Sequence, residues 1–375
     1  MPDAPVIVAA LRTPIGTAGR SLAEVDAAGL AAPVLRRLAD VLPAVPVDDV
    51  VLGNCMGPGG DVARVAALAA GLPVEVPAMT VDRQCGSGLA AIATAAALVR
   101  ESPGLVLAGG TESASTAPWR FWPPEGDEAP RRFERAPFAP EDLGDPDMGL
   151  AADLLAQERG VSRDRQDAYA ALSHARAHAT QQAGGFEAEL VPVGGVERDE
   201  RPRPGLSAGR LARLRPTFRP DGTVTPGNAC GVNDGAAAVA LVDAETHAGL
   251  RLPGLRIVAS ATAGVDPNRP GLGIVPAVRA ALAHAGLGLD AIDVVELNEA
   301  FAGQVLACCE ELDLDPARVC PQGGALALGH PWGASGAVLV VRLFTQLVRQ
   351  AGGRYGLAAI AVGGGQGVAM VVERT

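Results

Sequence analysis

The stretch Val81-Asp82-Arg83-Gln84-Cys85-Gly86-Ser87-Gly88-Leu89-Ala90-Ala91 decides the fold, because an apolar strand breaks there at glycines and turns directly into an alanine-rich helix. Cys85 lies at the break, where unpaired backbone N–H groups and the positive end of the helix dipole favour the nucleophilic thiolate. Gly86 and Gly88 allow a sharp turn and leave the sulfur accessible. Cys85 is therefore a candidate nucleophile, although a structural cysteine is the better interpretation of a single isolated thiol, so the rest of the chain must supply a base and an oxyanion site.

The overall composition is that of a well-buried enzyme and excludes several other classes of protein. At 375 residues, with 48% hydrophobic and 19% charged residues, the chain is long enough for the cores of two or more domains. A formal net charge of -11 offers no basic surface, so we expect no nucleic-acid partner. All 31 basic residues are arginines, which excludes Schiff-base chemistry on a lysine.

The cysteines and the apolar segments predict a reduced, cytoplasmic protein with no membrane span and no metal site. The six cysteines lack the paired spacing of a zinc site or a disulfide framework. No apolar run reaches the ~20 residues that a membrane helix requires, and the N-terminus lacks a basic region followed by a long apolar one. The six are Cys55, Cys85, Cys230, Cys308, Cys309 and Cys320.

Strands and helices alternate along most of the chain, which predicts an α/β protein with a mostly parallel sheet covered on both faces. The segment 115–232 is rich in proline and charge but contains helical patterns at 148–159 and 162–182, so we interpret it as an ordered insertion. The other predicted strands are 6–11, 50–54 and 105–110, and the other predicted helices are 22–42, 62–70 and 89–100.

Three short motifs of the first part of the chain recur in the same order in its last part. Residues 49–54 return as 293–298 and residues 85–88 as 333–336, at offsets of 244 and 248 residues, and 105–110 returns as 357–365. This repetition predicts two copies of one α/β unit. We expect an N-terminal half of residues 1–114 that continues at about 233–250, a loop domain of residues 115–232, and a C-terminal half of residues 251–375.

The second copy places three polar features where chemistry is favoured. His330 lies in a glycine-rich turn before a long apolar helix, and its ordinary pKa of ~6.5 suits proton transfer. Asn298 and Glu299 follow a buried strand, at the edge where α/β sites form, although such a pair also caps helices. The glycine run that begins at Gly363 offers bare backbone N–H groups to an oxyanion, with a tight turn as the alternative.

These motifs together resemble the thiolases, which are acyl-CoA acyltransferases of the acetyl-CoA acetyltransferase and 3-ketoacyl-CoA thiolase type. The resemblance covers the whole chain and implies a duplicated α/β fold, a five-layered αβαβα sandwich with an inserted loop domain over the site. It also implies a coenzyme A thioester as substrate, no tightly bound cofactor and a homodimer or homotetramer. The motifs are Cys85-Gly86-Ser87-Gly88, Asn298-Glu299-Ala300-Phe301 and Gly329-His330-Pro331-Trp332-Gly333-Ala334-Ser335-Gly336.

Carried over to matching positions, the resemblance assigns a role to each candidate residue. Cys85 would be the nucleophile that takes the acyl group, and His330 the base that activates it. Asn298 would hold the water of one oxyanion hole, and the backbone N–H groups of Cys85 and Gly363 would form the other. The residues that would line the coenzyme A pocket are Met148, Arg203, Phe218, Pro226, Ala229, Cys230 and Phe301.

One position departs from the family's pattern. The resemblance implies a second catalytic cysteine two residues before Gly363, where this chain has Ala361. In the family that thiol removes a proton from the α-carbon of the second substrate, which a methyl group cannot do. Because positioned acid–base catalysis is worth ~10²–10⁴-fold in rate, we expect impaired Claisen chemistry while acyl transfer onto Cys85 survives.

Several interpretations of Ala361 stay open on the sequence alone. We favour an acyltransferase that passes its acyl group to a different nucleophile, or condenses it with a carbanion formed by decarboxylation. Alternatively, Cys320 replaces the lost thiol, or Ala361 is an introduced substitution in an ordinary acetyl-CoA acetyltransferase. A degenerate, non-catalytic partner subunit is the remaining alternative, and the presence of Cys85, Asn298 and His330 together argues against it.

Overall fold

The computed structural model describes residues 4–133 and 135–375, which form a ten-stranded mixed sheet with helices on both faces and a separate two-stranded sheet, β6-β7 below. Within these residues, no helix combines the length and the apolar character that crossing a membrane requires. The strands are β1 (Val6–Arg12), β2 (Gly16–Thr17), β3 (Val47–Gly53), β4 (Ala78–Val81), β5 (Leu105–Ser113), β6 (Arg120–Trp122), β7 (Arg131–Phe133), β8 (Asn233–Val242), β9 (Leu255–Gly264), β10 (Val294–Leu297), β11 (Tyr355–Val362) and β12 (Gln366–Arg374). The α-helices are α1 (Ala27–Val41), α2 (Val62–Ala69), α3 (Ser87–Glu101), α4 (Met148–Glu158), α5 (Arg163–Gln182), α6 (Ala208–Leu211), α7 (Ala244–Leu250), α8 (Ile274–Ala285), α9 (Ala302–Leu312), α10 (Ala325–Leu328) and α11 (Trp332–Phe344).

The sheet and its helices stack in five layers. Strands β1-β8-β5-β3-β4 form one half of the sheet and β9-β12-β11-β10 the other, and the halves join where Val6 and Ile7 of β1 pair with β9. Helices α3 and α11 pack between the two halves. Helices α1 and α2 cover the outer face of the first half, and α8 and α9 cover the outer face of the second. The predicted five-layered α/β sandwich is confirmed.

The two halves of the sheet have the same strand order. From the junction outwards, β1-β8-β5-β3-β4 corresponds to β9-β12-β11-β10, and a parallel bridge from Val295 to Val319 takes the place of the last strand. The recurring motifs therefore occupy equivalent positions, with Asn54 after β3 and Asn298 after β10. The division into an N-terminal half, a loop domain and a C-terminal half stays a prediction, which this equivalence supports.

The expectation of a mostly parallel sheet is wrong. Within the described residues, the pairs β3–β4, β3–β5 and β10–β11 of this sheet are parallel, and its other pairs are antiparallel. The reason is that the last strand of each half, β8 or β12, returns antiparallel between its neighbours. A strand that is buried on both faces has a continuous apolar run whether it is parallel or antiparallel to its neighbours. The sequence pattern therefore does not reveal the direction of β8 and β12.

The two central helices cross in close contact because each has a glycine at the crossing. A methyl group on Gly88 of α3 would lie 2.8 Å from the Gly333 carbonyl oxygen and 2.9 Å from the Ala337 nitrogen. A methyl group on Gly336 of α11 would lie 2.5 Å from the Leu89 nitrogen. Any larger residue would therefore push the helices apart, and with them the residues at their N-terminal ends.

A buried ionic network attaches the inserted segment to the core. Arg12 of β1 contacts Glu189 at 2.8 Å and Asp199 at 2.7 Å, and Glu189 also pairs with Arg342 of α11. All four side chains are buried. Breaking a buried pair of this kind leaves an uncompensated charge, which typically costs about 3–5 kcal/mol. The segment is thus held as an ordered part of the fold.

Replacing Gly88 by alanine tests the close helix crossing. Overpacking against the Gly333 oxygen should lower the free energy of unfolding by about 1–3 kcal/mol, measured by denaturant titration. Gly249→Ala is the matched control, because Gly249 lies exposed in α7 with no heavy atom within 4 Å of the added methyl group. That variant should be neutral or more stable. Equal stabilities of the two variants would contradict the prediction.

Candidate active site

A tight turn between β4 and α3 presents Cys85. Gln84 has φ of +45°, a left-handed conformation that non-glycine residues rarely adopt, and sites of this kind concentrate near function. Ser87 fixes the turn, since its Oγ donates to the Gln84 carbonyl oxygen at 2.6 Å and accepts from the Arg83 N–H at 2.8 Å. Cys85 lies two residues before the start of α3, at the break between strand and helix that the sequence predicted.

The end of β11 closes over the Cys85 turn. A methyl group on Gly86 would lie 2.7 Å from Val362 Cγ2, so a glycine is required for β11 to approach this closely. Burial, together with the nearby Cys230, raises the pKa of the Cys85 thiol to about 12, although the backbone N–H groups of Cys85 and Gly363 oppose the rise. Cys85 is therefore protonated at neutral pH, contrary to the thiolate expected from the helix terminus. A base must remove its proton.

His330 is buried and is oriented by the loop around it. Its backbone N–H donates to Asn233 Oδ1 at 2.9 Å, and its Nδ1 lies 2.6 Å from Ser335 Oγ. Ser335 Oγ donates a hydrogen bond to the Pro331 carbonyl oxygen at 2.9 Å, so it accepts a hydrogen bond from Nδ1–H of His330. This pattern leaves the lone pair on Nε2. Burial lowers the pKa of His330 to about 4, so the ring is neutral and ready to accept a proton.

Cys85, His330 and Gly363 line one cavity of about 120 Å³. Three of the predicted coenzyme A residues, Met148, Cys230 and Phe301, line the same cavity. Ala361 also lines it, so the position of the missing cysteine faces the same space as Cys85. The remaining lining residues are Ala151, Ala152, Leu155, Pro270, Gly271, Ala300, Gln304, Trp332 and Val362.

Asn298 does not line this cavity. It is buried at the end of β10 and lines a second, smaller cavity of about 20 Å³ together with Ser335, the residue that orients His330. A space of that size is large enough for about one water molecule. Asn298 thus lines a separate cavity beside the loop that carries His330.

The other four predicted coenzyme A residues also lie outside the lining of the main cavity. The Phe218 ring packs on Gly149 in the first turn of α4, where an added methyl group would lie 2.1 Å from ring atoms. Ala229 pairs with Phe301 in an antiparallel bridge. Pro226 is exposed, and so is Arg203, whose backbone N–H donates to His174.

The sequence missed several cavity residues. Ala152 and Leu155 follow Met148 at helical spacing on α4 and line the cavity with it, so extending the helical face from Met148 would have found them. Arg201 packs against Gly231, the residue after Cys230, since a methyl group there would meet Arg201 Nη1 at 2.2 Å. Arg201 thus lies beside the cavity residue Cys230 without lining the cavity itself, and no sequence signal distinguishes it from the arginines around it.

Cys320 lies apart from the site. It is buried, and its Sγ donates to the Leu297 carbonyl oxygen at 3.2 Å. It is absent from the residues that line the main cavity. The structure therefore gives no support to Cys320 as a substitute for the missing thiol.

The described residues contain no group of three or more side chains suited to hold a metal ion.

Comparisons with known proteins cover the whole chain. A family profile described as thiolase, N-terminal domain, matches residues 5–245, and one described as thiolase, C-terminal domain, matches residues 252–374. The chain is similar to a putative acetyl-CoA C-acetyltransferase YhfS of Bacillus subtilis, at 43% identity over 98% of each chain. It is also similar to a β-ketoadipyl-CoA thiolase of Pseudomonas aeruginosa, at 46% identity over 97% of this chain and 98% of the relative. The crystal structure of a Bacillus anthracis acetyl-CoA acetyltransferase superimposes with a TM-score of 0.92 at 38% identity, covering 100% of this chain and 99% of that one.

His330 is predicted to stay neutral well below neutral pH. A histidine is neutral above its pKa, and burial lowers the pKa of His330 to about 4, so protonation should begin only as the pH falls towards that value. Long-range ¹H–¹⁵N NMR should show the proton on Nδ1 at pH 7 and a titration near pH 4. His330→Gln identifies the signals, and Ser335→Ala should disturb the tautomer. A titration near ~6.5, the ordinary value, would disprove the assignment.

Proposed function

The chain belongs to the thiolase family, and on that premise we propose that it takes the acyl group of an acyl-CoA thioester onto Cys85. The observation that carries the proposal is the single cavity lined by Cys85, His330 and Gly363. These three supply a nucleophile, a base and a backbone donor, which acyl transfer through a covalent intermediate requires. A non-catalytic subunit would not need all three in one space.

The acylation step uses the protonation states that burial imposes. Nε2 of neutral His330 takes the proton of the Cys85 thiol, and the sulfur attacks the thioester carbonyl carbon. Negative charge develops on the carbonyl oxygen, and the N–H groups of Cys85 and Gly363 are the donors proposed to stabilise it. Their effect on the pKa of Cys85 supports this role, because both N–H groups already act on the sulfur.

Asn298 is proposed to act through a water molecule rather than directly. The small cavity that it lines is large enough for about one water, and it is shared with Ser335. A water held there would be adjacent to the loop that carries His330. This placement supports the second oxyanion site implied by the family resemblance, with Asn298 as a positioning residue.

Coenzyme A is proposed to enter over α4 and the segment around Cys230. Met148, Phe301 and Cys230 line the cavity at its reactive end. Phe218 lies beside the first turn of α4, next to Met148. Arg203 is exposed and available to the nucleotide part, because a guanidinium suits both phosphate oxygens and the adenine ring. Assembly as a homodimer or homotetramer also stays a prediction from the resemblance.

Ala361 limits what happens after acylation. Its methyl group faces the cavity and has no proton to exchange. An acyl group on Cys85 is then either passed to another nucleophile or condensed with a carbanion whose formation does not depend on residue 361. The proposed function is therefore acyl transfer through Cys85, whichever group completes the second step.

Mass spectrometry of the intact protein tests the acyl-enzyme. Incubation with acetyl-CoA or longer acyl-CoA thioesters should add the mass of one acyl group, and the modified peptide should contain Cys85. Cys85→Ala should abolish the adduct, and His330→Gln should slow its formation by about 10²–10⁴-fold. Cys309→Ala is the matched control, because Cys309 is buried in α9 and does not line the cavity. No adduct with any thioester would refute the proposal.

Arg203→Ala tests the proposed nucleotide contact. Losing a charge-assisted hydrogen bond costs about 1.5–3 kcal/mol, so the acyl-CoA concentration for half-maximal acylation should rise at least about tenfold. The maximal acylation rate should stay the same, since Arg203 does not line the cavity. Arg37→Ala, on the exposed face of α1, is the control and should change neither quantity. An unchanged concentration dependence for Arg203→Ala would remove it from the coenzyme A site.

A further inference from the structure

Three ionisable side chains line the main cavity among the described residues: Cys85, Cys230 and His330. The others in the lining are apolar or uncharged, including Gln304, Trp332 and Ala361. Acylation as proposed above occupies two of the three, because the proton of Cys85 moves to His330. Cys230 is the one ionisable group of the lining that this step leaves unused.

The chemistry after the first bond-forming step needs a further proton donor and acceptor. Coenzyme A leaves the acyl carbon as a thiolate and needs a proton, while His330 holds the proton that Cys85 must regain later. A carbon–carbon bond to a second acyl-CoA, formed without decarboxylation, also requires a base that removes a proton from its α-carbon. Ala361 has no group for either task.

The backbone around Cys230 is fixed between the two loops of the candidate site. The Cys230 N–H donates to the Ala300 carbonyl oxygen at 2.9 Å. Ala229 pairs with Phe301 on one side, and Val232 pairs with His330 on the other. Cys230 is thus positioned by the same elements that position the base, and not by a free surface loop.

Hydrogen bonding also distinguishes the Cys230 thiol from the thiols of Cys55, Cys308 and Cys320. The thiols of Cys55, Cys308 and Cys320 each donate to a backbone carbonyl oxygen, at 3.0, 3.2 and 3.2 Å. Among the described residues, the thiol of Cys230 has no such partner and instead lines the cavity beside Cys85. A thiol without a structural bond is available to a substrate.

We propose that Cys230 is the second acid–base residue of this enzyme, performing from its own position in the cavity the proton transfers that Ala361 cannot. The proposal rests on the proposed acyl-enzyme at Cys85. The Cys230 thiol donates its proton to the departing coenzyme A sulfur as the carbon–sulfur bond breaks. The resulting Cys230 thiolate then removes a proton from the α-carbon of a second acyl-CoA.

The remaining bonds balance this proton transfer. The carbanion attacks the carbonyl carbon of the acyl-enzyme, a carbon–carbon bond forms, and the bond to Cys85 breaks. Protonated His330 returns its proton to the Cys85 sulfur. The cycle yields a 3-ketoacyl-CoA and free coenzyme A, and all three residues recover their starting protonation states. Run in reverse, the Cys230 thiol protonates the carbanion released by cleavage.

The electrostatic surroundings of Cys230 fit both halves of this task. Burial raises the pKa of its thiol to about 12, so the proton is present in the resting enzyme. The positive charge of Arg201 lowers the same pKa, which stabilises the thiolate once it forms. Arg201 packs against Gly231, the next residue in the chain, so this charge lies beside the sulfur's own backbone.

Exchange of α-protons in D₂O isolates the proposed step from acylation. The wild-type enzyme, incubated with acetyl-, butanoyl- and octanoyl-CoA in D₂O, should incorporate deuterium at the α-carbon and form 3-ketoacyl-CoA products. Cys230→Ala and Cys230→Ser should form the acyl-enzyme on Cys85 more slowly, because coenzyme A then leaves without its proton donor, but to the same final extent, which also shows that they fold. Both should lose exchange and carbon–carbon bond formation by about 10²–10⁴-fold. Cys309→Ala, away from the cavity, should behave as the wild type.

A double substitution tests whether the thiol itself is what matters. Adding Ala361→Cys to Cys230→Ala returns a thiol to the cavity at the other position and should restore exchange. Unchanged exchange in Cys230→Ala, or acylation of the wild type with no exchange for any acyl-CoA, would overturn the role of Cys230 and leave the acyl-enzyme intact. Absence of an acyl-enzyme in the wild type would instead overturn the proposed function.

Discussion

The close crossing of α3 and α11 is the constraint on which the candidate site depends. Gly88 and Gly336 let the two helices touch backbone to backbone in the middle layer of the sandwich. Cys85 lies just before α3, and His330 lies just before α11, so the crossing brings their N-terminal ends to one cavity. The proposed nucleophile from one half and the proposed base from the other meet because two small residues remove the space between the helices.

Burial then determines how these groups work. Desolvation disfavours charge, so it raises the pKa of the Cys85 and Cys230 thiols and lowers that of His330. The cavity therefore holds two thiols and a neutral imidazole at rest. Charge appears only when a proton moves between them in the presence of a substrate, where backbone N–H groups of Cys85 and Gly363 are placed to stabilise it. A charged resting site would have required a partner that the cavity lining does not provide.

The inserted segment is held by buried polar contacts on both sides of the molecule. Glu189 and Asp199 bind Arg12, while Tyr169 and Ser173 of α5 donate to Glu299 at 2.8 and 2.7 Å. Glu299 in turn accepts from the Leu326 N–H, in the segment that leads to His330. The insertion thus supports the segment that leads to His330 as well as supplying Met148 and Cys230 to the cavity.

Local pattern in the sequence determined the layered α/β fold, the repeated halves and the candidates Cys85, His330 and Asn298, because glycine-rich turns and strand ends are written in adjacent residues. The family resemblance that these motifs carry identified Ala361 as the position without a proton. The direction of β8 and β12, the protonation of Cys85 and the separate cavity of Asn298 were decided by tertiary structure, since strand pairing and desolvation depend on residues far apart in the chain. The same holds for the choice between two thiols: Cys320, nearer to His330 in sequence, is bonded to a carbonyl elsewhere, whereas packing brings Cys230, 100 residues before His330, into the cavity.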